Sequence, residues 1–236
     1  MNGNDILVIV PAYNEEKALP ATLDELSRLN PQPKVLVVND GSADRTSEVA
    51  RSAGVTVIDL PANMGIGVAM QTGYRYAVQN GFALSVQCDG DGQHRPEQIG
   101  VLLKKMGETG ADMVIGSRFV ESGGDGFQSF FLRRQVIRFL SVWIWALTGV
   151  RVYDVTSGFR LCNGRATAIF ARDYPFDYPE PEAIVLLGRY GLRVGETAVS
   201  MRERQGGVSS IGFFPGIYYV VKVSIGLLVT RLRSNV

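Results

Sequence analysis

Two aspartates separated by a glycine, Asp89 and Asp91, are the residues whose type and spacing point most directly to chemistry. Carboxylates one residue apart at a strand end can share a hard divalent cation. Such a cation would bridge diphosphate oxygens and neutralise the charge on a departing diphosphate. Gln93 follows at the next alternate position and offers another oxygen ligand. Because the same triplet is also common as a plain turn, its surroundings must decide between the two interpretations.

A second polar turn contains Asp40, which follows the apolar run 35–38. A carboxylate at a strand end can accept a hydrogen bond from a nucleobase N–H or from a ribose hydroxyl. Gly41 lets the backbone turn, and Ser42 suits the cap of the helix that follows. The alternative interpretation is that residues 40–42 form only a turn and a helix cap.

A third polar turn follows the apolar run 6–10 and consists of Pro11, Ala12, Tyr13, Asn14 and Glu15. Asn14 and Glu15 suit a helix start, so capping explains part of this turn. Capping leaves Pro11 and Tyr13 without an explanation.

The polar turns follow apolar runs that have the β-branched, uninterrupted character of buried parallel strands. These runs cover residues 6–10, 35–38, 55–60, 83–87 and 113–115, with helical patterns between them at 15–29, 44–53, 66–79 and 96–108. The alternation predicts an α/β fold with a Rossmann-like, mostly parallel sheet flanked by helices. Ligands bind such sheets at the carboxyl ends of the strands. We therefore expect the three polar turns to form a single site.

The second half of the chain departs from this alternation. The glycine-rich stretch 122–126 predicts a mobile loop over 119–130 that closes and excludes water. A helix is predicted over 131–148, with Trp143 and Trp145 on it. These patterns indicate a catalytic domain over 1–210 and a C-terminal apolar helix over 211–236.

The C-terminal apolar segment, 211–229, contains glycines, Pro215 and Lys222, which make it a poor uninterrupted span. A spanning helix needs about 20 mostly apolar residues. Tyr218, Tyr219 and the terminal arginines suit a membrane interface. We expect a helix that lies in or dips into the cytoplasmic leaflet, with the 131–148 helix as a second contact. A packed core helix and a true span are the alternatives.

Charge and cysteine content exclude other classes of protein. The net charge of +1 over 236 residues gives no bulk attraction for nucleic acid. Cys88 and Cys162 lie far apart and outside any metal-ligand spacing, as expected of reduced core thiols in a cytoplasmic protein. The run 6–10 is too short for a signal peptide. We therefore expect the active domain in the cytoplasm, at the membrane face; the oligomeric state stays open.

Several motifs in one order resemble those of family 2 glycosyltransferases with a GT-A fold. They read PAYNE at 11–15, NDGS at 39–42, NMGIG at 63–67 and DGDGQH at 89–94. Within that family the chain is most similar to the dolichyl- and polyprenyl-phosphate mannose or glucose synthases. The motifs for that branch read GSRF at 116–119, DVTSGFR at 154–160 and RQGGVS at 204–209. The resemblance covers about residues 5–210.

The resemblance implies roles for residues at matching positions. A nucleotide-diphosphate sugar donor would be held by Pro11, Ala12, Tyr13, Asn14, Glu15, Asp40, Ser42, Gly65, Asp89 and Arg204. The metal, Mg²⁺ or Mn²⁺, would be bound by Asp89, Asp91 and Gln93. The implied catalytic residues are Asp91, Arg118 and Ser157. The acceptor phosphate would meet Arg118, Arg133, Arg134 and Ser157, because guanidinium groups present paired donors to phosphate oxygens. The alternative for Arg133, Arg134 and Arg138 is a solvated helix face.

Three positions depart from the family's pattern. Asn39 stands where the family usually has Asp, while Ile66 and Ser210 stand where it often has Lys. Two lysine side chains that would face phosphate are thus missing, at positions 66 and 210. The resemblance therefore identifies the class of donor better than the individual base and sugar.

The implied reaction is an inverting transfer of a hexose from a UDP- or GDP-sugar to a polyprenyl phosphate at the cytoplasmic face of the membrane. The alternative acceptor is a saccharide or another hydroxyl in cell-surface polysaccharide synthesis. A hydroxyl needs a general base, whereas a lipid phosphate is already anionic. Glu180 and Glu182 are the candidate bases, unless they only begin a helix held by Pro181. His94, the one histidine, is expected to support the metal site structurally.

Two other classes of protein are alternatives to a glycosyltransferase. A nucleotidyltransferase would require a glycine-rich loop with a basic residue after the first strand, and residues 11–15 supply none. A nucleotide-sugar binding protein without activity would not need Asp89, Asp91 and Arg118 together. The departures at Ile66 and Ser210 keep this second alternative open.

Overall fold

The computed structural model describes residues 3–119, 131–202 and 215–233, with the backbone alone at residues 4, 131–133 and 215–218. Within these ranges seven strands form one sheet: β1 (Ile6–Ala12), β2 (Lys34–Asn39), β3 (Thr56–Asp59), β4 (Leu84–Gln87), β5 (Met113–Ser117), β6 (Arg160–Asn163) and β7 (Val194–Ala198). The α-helices are α1 (Leu19–Ser27), α2 (Thr46–Ser52), α3 (Ile66–Gln79), α4 (Ile99–Thr109), α5 (Phe131–Thr148), α6 (Gly164–Arg172), α7 (Pro179–Arg189) and α8 (Pro215–Leu232).

The strand order across the sheet is β3-β2-β1-β4-β6-β5-β7. All pairs are parallel except those of β6, which runs antiparallel to both β4 and β5. The predicted α/β fold with a mostly parallel sheet is therefore confirmed. Strands β6 and β7 were not predicted from the sequence. These strands are short and mix polar with apolar residues, so they lack the apolar run that marked the other five.

The predicted helices over 66–79 and 131–148 match α3 and α5 at both ends. The helix predicted from residue 15 instead begins at Leu19. Asn14 has a φ of 56°, in the left-handed region, and the backbone N–H groups of residues 14–16 bond to side chains of residues 42–46, at the start of α2 and in the loop before it. These bonds to another loop replace the first helical turn.

Two apolar layers cover the two faces of the sheet. Strand β1 shows why both are needed: Leu7 and Ile9 point into one layer, whereas Val8 and Val10 point into the other. The first layer contains α3, α5, α6, α7 and part of α8, and the second contains α1 and α4. Burial of apolar side chains on both faces is typical of parallel strands, and it holds the strand ends in fixed positions.

Helix α8 packs against α7 and α5 along one of its faces. Val223 and Leu227 on that face are fully buried, and Arg189 of α7 donates to the Thr230 carbonyl at 2.9 Å. The opposite face leaves an apolar stripe exposed: Val221, Ile225, Leu228, Val229 and Leu232. Among the residues described here, no helix is long and apolar enough to cross a membrane. The predicted domain boundary at 210 and the 119–130 loop, apart from Phe119, lie outside the described residues.

Candidate functional site

The polar turns meet at one edge of the sheet because of the strand directions. Strands β1, β2 and β4 are parallel neighbours, so the turns after Ala12, Asn39 and Gln87 leave the sheet on the same side. Strand β5 runs in the same direction, since both β4 and β5 are antiparallel to β6. The carboxyl end of β5, followed by Arg118, and the chain entering β6 therefore reach the same edge.

The first two polar turns are joined by hydrogen bonds. The Asn14 N–H donates to Ser42 Oγ at 2.9 Å, and the Ala43 N–H donates to Asn14 Oδ1 at 2.9 Å. Thr46 Oγ1 accepts from the Glu15 N–H at 2.8 Å. The two loops implied to bind the nucleotide therefore form one unit, while Tyr13 projects from it with 46% of its surface exposed.

The expectation that Ser42 caps the helix after β2 was wrong. Helix α2 begins at Thr46, and the Thr46 N–H donates to Asp44 Oδ1 at 2.9 Å. Asp44 therefore supplies the oxygen that a capping residue supplies. The Ser42 hydroxyl accepts from the Asn14 N–H instead, because the turn after β1 packs against the loop after β2.

Asp40 links the end of β2 to the start of α3. Its carboxylate oxygens accept from the backbone N–H groups of Met64, at 2.7 Å, and Gly65, at 2.9 Å. The backbone approaches closely here, since a Cβ on Gly41 would lie 2.3 Å from the Ala62 carbonyl carbon. Asp40 and Gly65, both implied donor-site residues, are thus in direct contact. The implied hydrogen bond from Asp40 to a base or ribose stays a prediction.

The acidic pair follows β4 on a tight loop. Asp89 keeps 31% of its side chain exposed, whereas Asp91 is buried and accepts from the Gln93 N–H at 3.0 Å. Burial, together with the charges of Asp89 and Asp91, raises the pKa of the Cys88 thiol well above its ordinary value. The thiol therefore stays protonated in the core, and the groups that the acidic pair offers to a cation are oxygens.

These oxygens fit a hard cation such as Mg²⁺ or Mn²⁺. Among residues 3–119, 131–202 and 215–233, no three His, Cys, Asp or Glu side chains are grouped to hold a metal ion. A cation on Asp89 and Asp91 would complete its shell with neutral oxygens, water and substrate phosphates, as Mg²⁺ commonly does. The Gln93 amide could supply one of these oxygens.

Arg118 is held at the site by a buried carboxylate. Its Nε and Nη2 donate to the two carboxylate oxygens of Asp154, each at 2.8 Å, and its backbone N–H donates to Asp154 Oδ2 at 3.1 Å. Burial lowers the pKa of the Arg118 guanidinium, but Asp154 more than offsets this and Asp89 adds to the upward shift. The guanidinium therefore stays charged, within electrostatic reach of the acidic pair.

Asp154 is itself positioned by Glu196 of β7. The Glu196 carboxylate accepts from the backbone N–H groups of Tyr153 and Asp154, at 2.8 and 2.7 Å. The sequence analysis assigned no role to Asp154 or Glu196. Asp154 begins the 154–160 motif that supported the resemblance, and its place in that motif was the signal available.

The other implied phosphate-binding arginines are only partly described. The Arg134 guanidinium is exposed and lies 5.8 Å from the Phe119 ring, which Arg118 also contacts. The side chain of Arg133 and the whole of Arg204 lie outside the described residues. The Arg202 N–H donates to the Gln93 carbonyl at 2.9 Å, so the chain two residues before Arg204 passes the loop of the acidic pair.

Ser157 is buried and hydrogen-bonded within the protein. Its hydroxyl donates to the Gly116 carbonyl at 2.6 Å and accepts from the Phe159 N–H at 3.3 Å. These bonds join the end of β5 to the start of β6. A contact with phosphate would require the hydroxyl to exchange its partners, and that role stays a prediction.

The structure separates the two candidate bases. Burial raises the pKa of the Glu180 carboxyl; the Arg160 charge opposes this shift and the Asp89 charge adds to it. Glu182 instead faces α8, where it accepts from Thr230 Oγ1 at 3.3 Å. Of the two carboxyls, Glu180 is therefore the one whose pKa responds to the charge of Asp89.

The fold is that of GT-A glycosyltransferases. A glucosyl-3-phosphoglycerate synthase from Mycobacterium tuberculosis, solved with Mn²⁺ and UDP-glucose, has this fold; the TM-score is 0.71 at 18% identity over 97% of this chain and 79% of that one. The family model for glycosyl transferase family 2 matches residues 7–168. This chain belongs to glycosyl transferase family 2.

Two relatives show which members of the family are similar. An undecaprenyl-phosphate mannosyltransferase of Micrococcus luteus is 32% identical over 87% of this chain and 87% of its own length. A polyprenol monophosphomannose synthase of Mycolicibacterium smegmatis is 30% identical over 87% of this chain and 80% of its own length. The predicted resemblance to the polyprenyl-phosphate branch is confirmed.

Proposed function

We propose that this chain transfers a hexose, with inversion, from a nucleoside diphosphate sugar to a polyprenyl phosphate. The observation that carries the proposal is the meeting of Asp89, Asp91 and Arg118 at one sheet edge, in a chain whose relatives are named for polyprenyl-phosphate sugar transfer. An acidic pair can bind the donor through a cation. An arginine beside it can bind a phosphate.

The donor would lie across the joined loops 13–16 and 42–46, with its diphosphate toward Asp89 and Asp91. Both aspartates, with Gln93, would hold Mg²⁺ or Mn²⁺. The cation would supply positive charge to the leaving diphosphate. Asp40 and Gly65 would fix the shape of the loop that meets the nucleoside, because the carboxylate already binds that loop's backbone. Arg204 would approach the diphosphate from the other side.

The acceptor phosphate would bind Arg118, with Arg133 or Arg134 assisting. A phosphate oxygen would attack C1 of the sugar in line with the departing diphosphate, so no base is required. Asp154 holds the Arg118 guanidinium in place before substrate arrives. Preorganised charge of this kind stabilises a transition state without reorganisation during the reaction.

The acceptor's lipid tail is expected to stay in the cytoplasmic leaflet, where the protein would bind as a peripheral enzyme. Support comes from the exposed apolar stripe of α8 and from exposed Phe139, Val142 and Trp145 on the adjoining α5. Exposed arginines lie near both helices: Arg138, Arg151 and Arg231. Basic residues near an anionic surface contribute about 1 kcal/mol each.

A transfer assay tests this function. Purified protein is incubated with Mn²⁺, a panel of labelled UDP- and GDP-sugars and a short polyprenyl phosphate, and the product is extracted into organic solvent. Labelled lipid product is expected with at least one donor. Asp91→Asn should abolish transfer. The control is Asp24→Asn, which changes an exposed carboxylate on α1 that pairs with Arg28, and it should leave transfer intact. No product with any donor, or full activity in Asp91→Asn, contradicts the proposal.

The second candidate function is sugar transfer to a hydroxyl acceptor, and the buried carboxyl of Glu180 supports it. A carboxyl with a raised pKa near the acidic pair suits a general base. With a hydroxyl acceptor, Glu180→Gln should remove the chemical step, whereas Glu182→Gln should retain it. With polyprenyl phosphate as acceptor, neither substitution should remove the chemical step.

A further inference from the structure

The Asp89 carboxylate has a neighbour at each of its oxygens. Gln87 Nε2 donates to Asp89 Oδ1 at 3.1 Å, and His94 Nε2 lies 3.7 Å from Asp89 Oδ2. The Asp89 backbone N–H donates to His94 Nδ1 at 2.9 Å. The same histidine therefore accepts from the main chain of this aspartate and lies beside its carboxylate.

The hydrogen bond at Nδ1 determines which nitrogen of His94 carries the proton. A nitrogen that accepts from a backbone N–H must be unprotonated, so the proton of the neutral ring lies on Nε2. Nε2 is the atom on the side of the Asp89 carboxylate. The ring is buried and stacks on Phe159 with centroids 5.0 Å apart, which prevents it from rotating away.

Gly158 closes the third side of the carboxylate. A Cβ at this position would lie 2.8 Å from Gln87 Nε2 and 3.2 Å from Asp89 Oδ2. Gln87 has no room to withdraw, because it is buried on β4 opposite Arg160 of β6. A side chain at position 158 would therefore displace the glutamine amide and crowd the aspartate carboxylate.

We propose that Gln87, His94 and Gly158 are positioning residues that hold the Asp89 carboxylate in the orientation that meets a diphosphate-bound divalent cation. This inference rests on the proposed function and deepens it. Partners that orient a metal-binding group through hydrogen bonds typically change metal affinity by about 10- to 100-fold when they are removed.

Mn²⁺ titration calorimetry in the presence of UDP or GDP tests the proposal without sugar transfer. His94→Phe keeps a ring that can stack on Phe159 but removes the acceptor, and Gln87→Met keeps the chain length but removes the amide. Each should weaken Mn²⁺ binding by about 10- to 100-fold. His94→Asn places an acceptor near the Nδ1 position and should recover part of the loss. Gln79→Met, at an exposed glutamine that ends α3, is the matched control.

The outcomes separate this proposal from the proposed function. If the wild-type protein binds Mn²⁺ and nucleotide but both variants stay within twofold of it, the positioning role is refuted and the metal site stands. If the wild-type protein binds no Mn²⁺ with either nucleotide, the metal site itself is refuted. Melting temperatures of the variants identify loss of folding as a separate cause.

A spectroscopic test needs no variant at all. The chain has one histidine, so a ¹⁵N spectrum of the imidazole, recorded after removal of any affinity tag, reports on His94 alone. Proton-bearing Nε2 and proton-free Nδ1 are expected. The opposite tautomer would refute the assignment, because a protonated Nδ1 cannot accept from Asp89.

Discussion

Replacing Asp154 by asparagine should destabilise the protein strongly, because it removes the charge that balances a buried guanidinium. The Asp154 side chain is fully buried and that of Arg118 is 10% exposed. Breaking a buried ion pair by removing one partner costs about 3–5 kcal/mol. For a chain of this length, 1 kcal/mol shifts the melting temperature by about 2–4 °C. The expected fall in melting temperature is therefore about 6–20 °C, measured by thermal unfolding and confirmed by urea titration.

Two further variants separate the stability of the pair from its role in activity. Glu108→Gln removes an exposed carboxylate 3.9 Å from Lys104 and should cost less than about 1 kcal/mol. Arg118→Met combined with Asp154→Leu removes both buried charges, so most of the lost stability should return. Sugar transfer should stay absent in this double variant, because no guanidinium remains to bind phosphate.

Either of two results would refute this reasoning about the Arg118–Asp154 pair. If Asp154→Asn lowers the melting temperature by less than about 2 °C, the pair does not carry the expected share of stability. If the double variant transfers sugar at the wild-type rate, Arg118 does not act on the substrate.

Three other substitutions test separate parts of the structure. Gly73→Ala would place a Cβ 2.3 Å from Ile9 Cγ2, and this overpacking should cost about 1–3 kcal/mol. Because alanine gains only about 1 kcal/mol in helix propensity over glycine, we expect a net loss of stability. An unchanged urea midpoint would contradict this expectation. Burial raises the pKa of Glu182 above 4.5, so the folded state holds the proton to higher pH than the unfolded state, and stability falls as pH rises through that interval. Glu182→Gln should flatten this dependence in melting temperatures between pH 4.5 and 7, and an unaltered slope would show that Glu182 is not its source. Ile225→Asp should reduce flotation with anionic vesicles whereas Val78→Asp on α3 should not, and equal flotation would exclude the α8 stripe as a membrane contact.

Most of the fold was predictable because its elements carry strong local patterns. Five strands were visible as apolar runs, and α3 and α5 show helical periodicity over 14 and 18 residues. Strand β6 has only four residues and begins with Arg160, so it lacks such a pattern. Its antiparallel direction depends on how the chain returns to the sheet, which a local pattern does not encode.

The site was predictable as a set of residues but not as a set of contacts. The polar turns identified Asp40, Asp89 and Asp91 because each follows an apolar run. The partner of Arg118 lies 36 residues away in sequence, and nothing in the spacing singled out Asp154. Likewise, Ser42 suited a helix cap locally, yet its hydroxyl accepts from Asn14.

The sequence alone determined the class of fold, the family and the edge of the sheet where the polar residues gather. These follow from periodicity and from motif order, which are properties of the chain read in one direction. Only the tertiary structure decided which polar groups satisfy one another: Asp154 with Arg118, His94 with the Asp89 N–H, and Glu182 with Thr230. The reason is physical, because a buried charge or N–H must find a partner wherever folding brings one, at any separation in sequence.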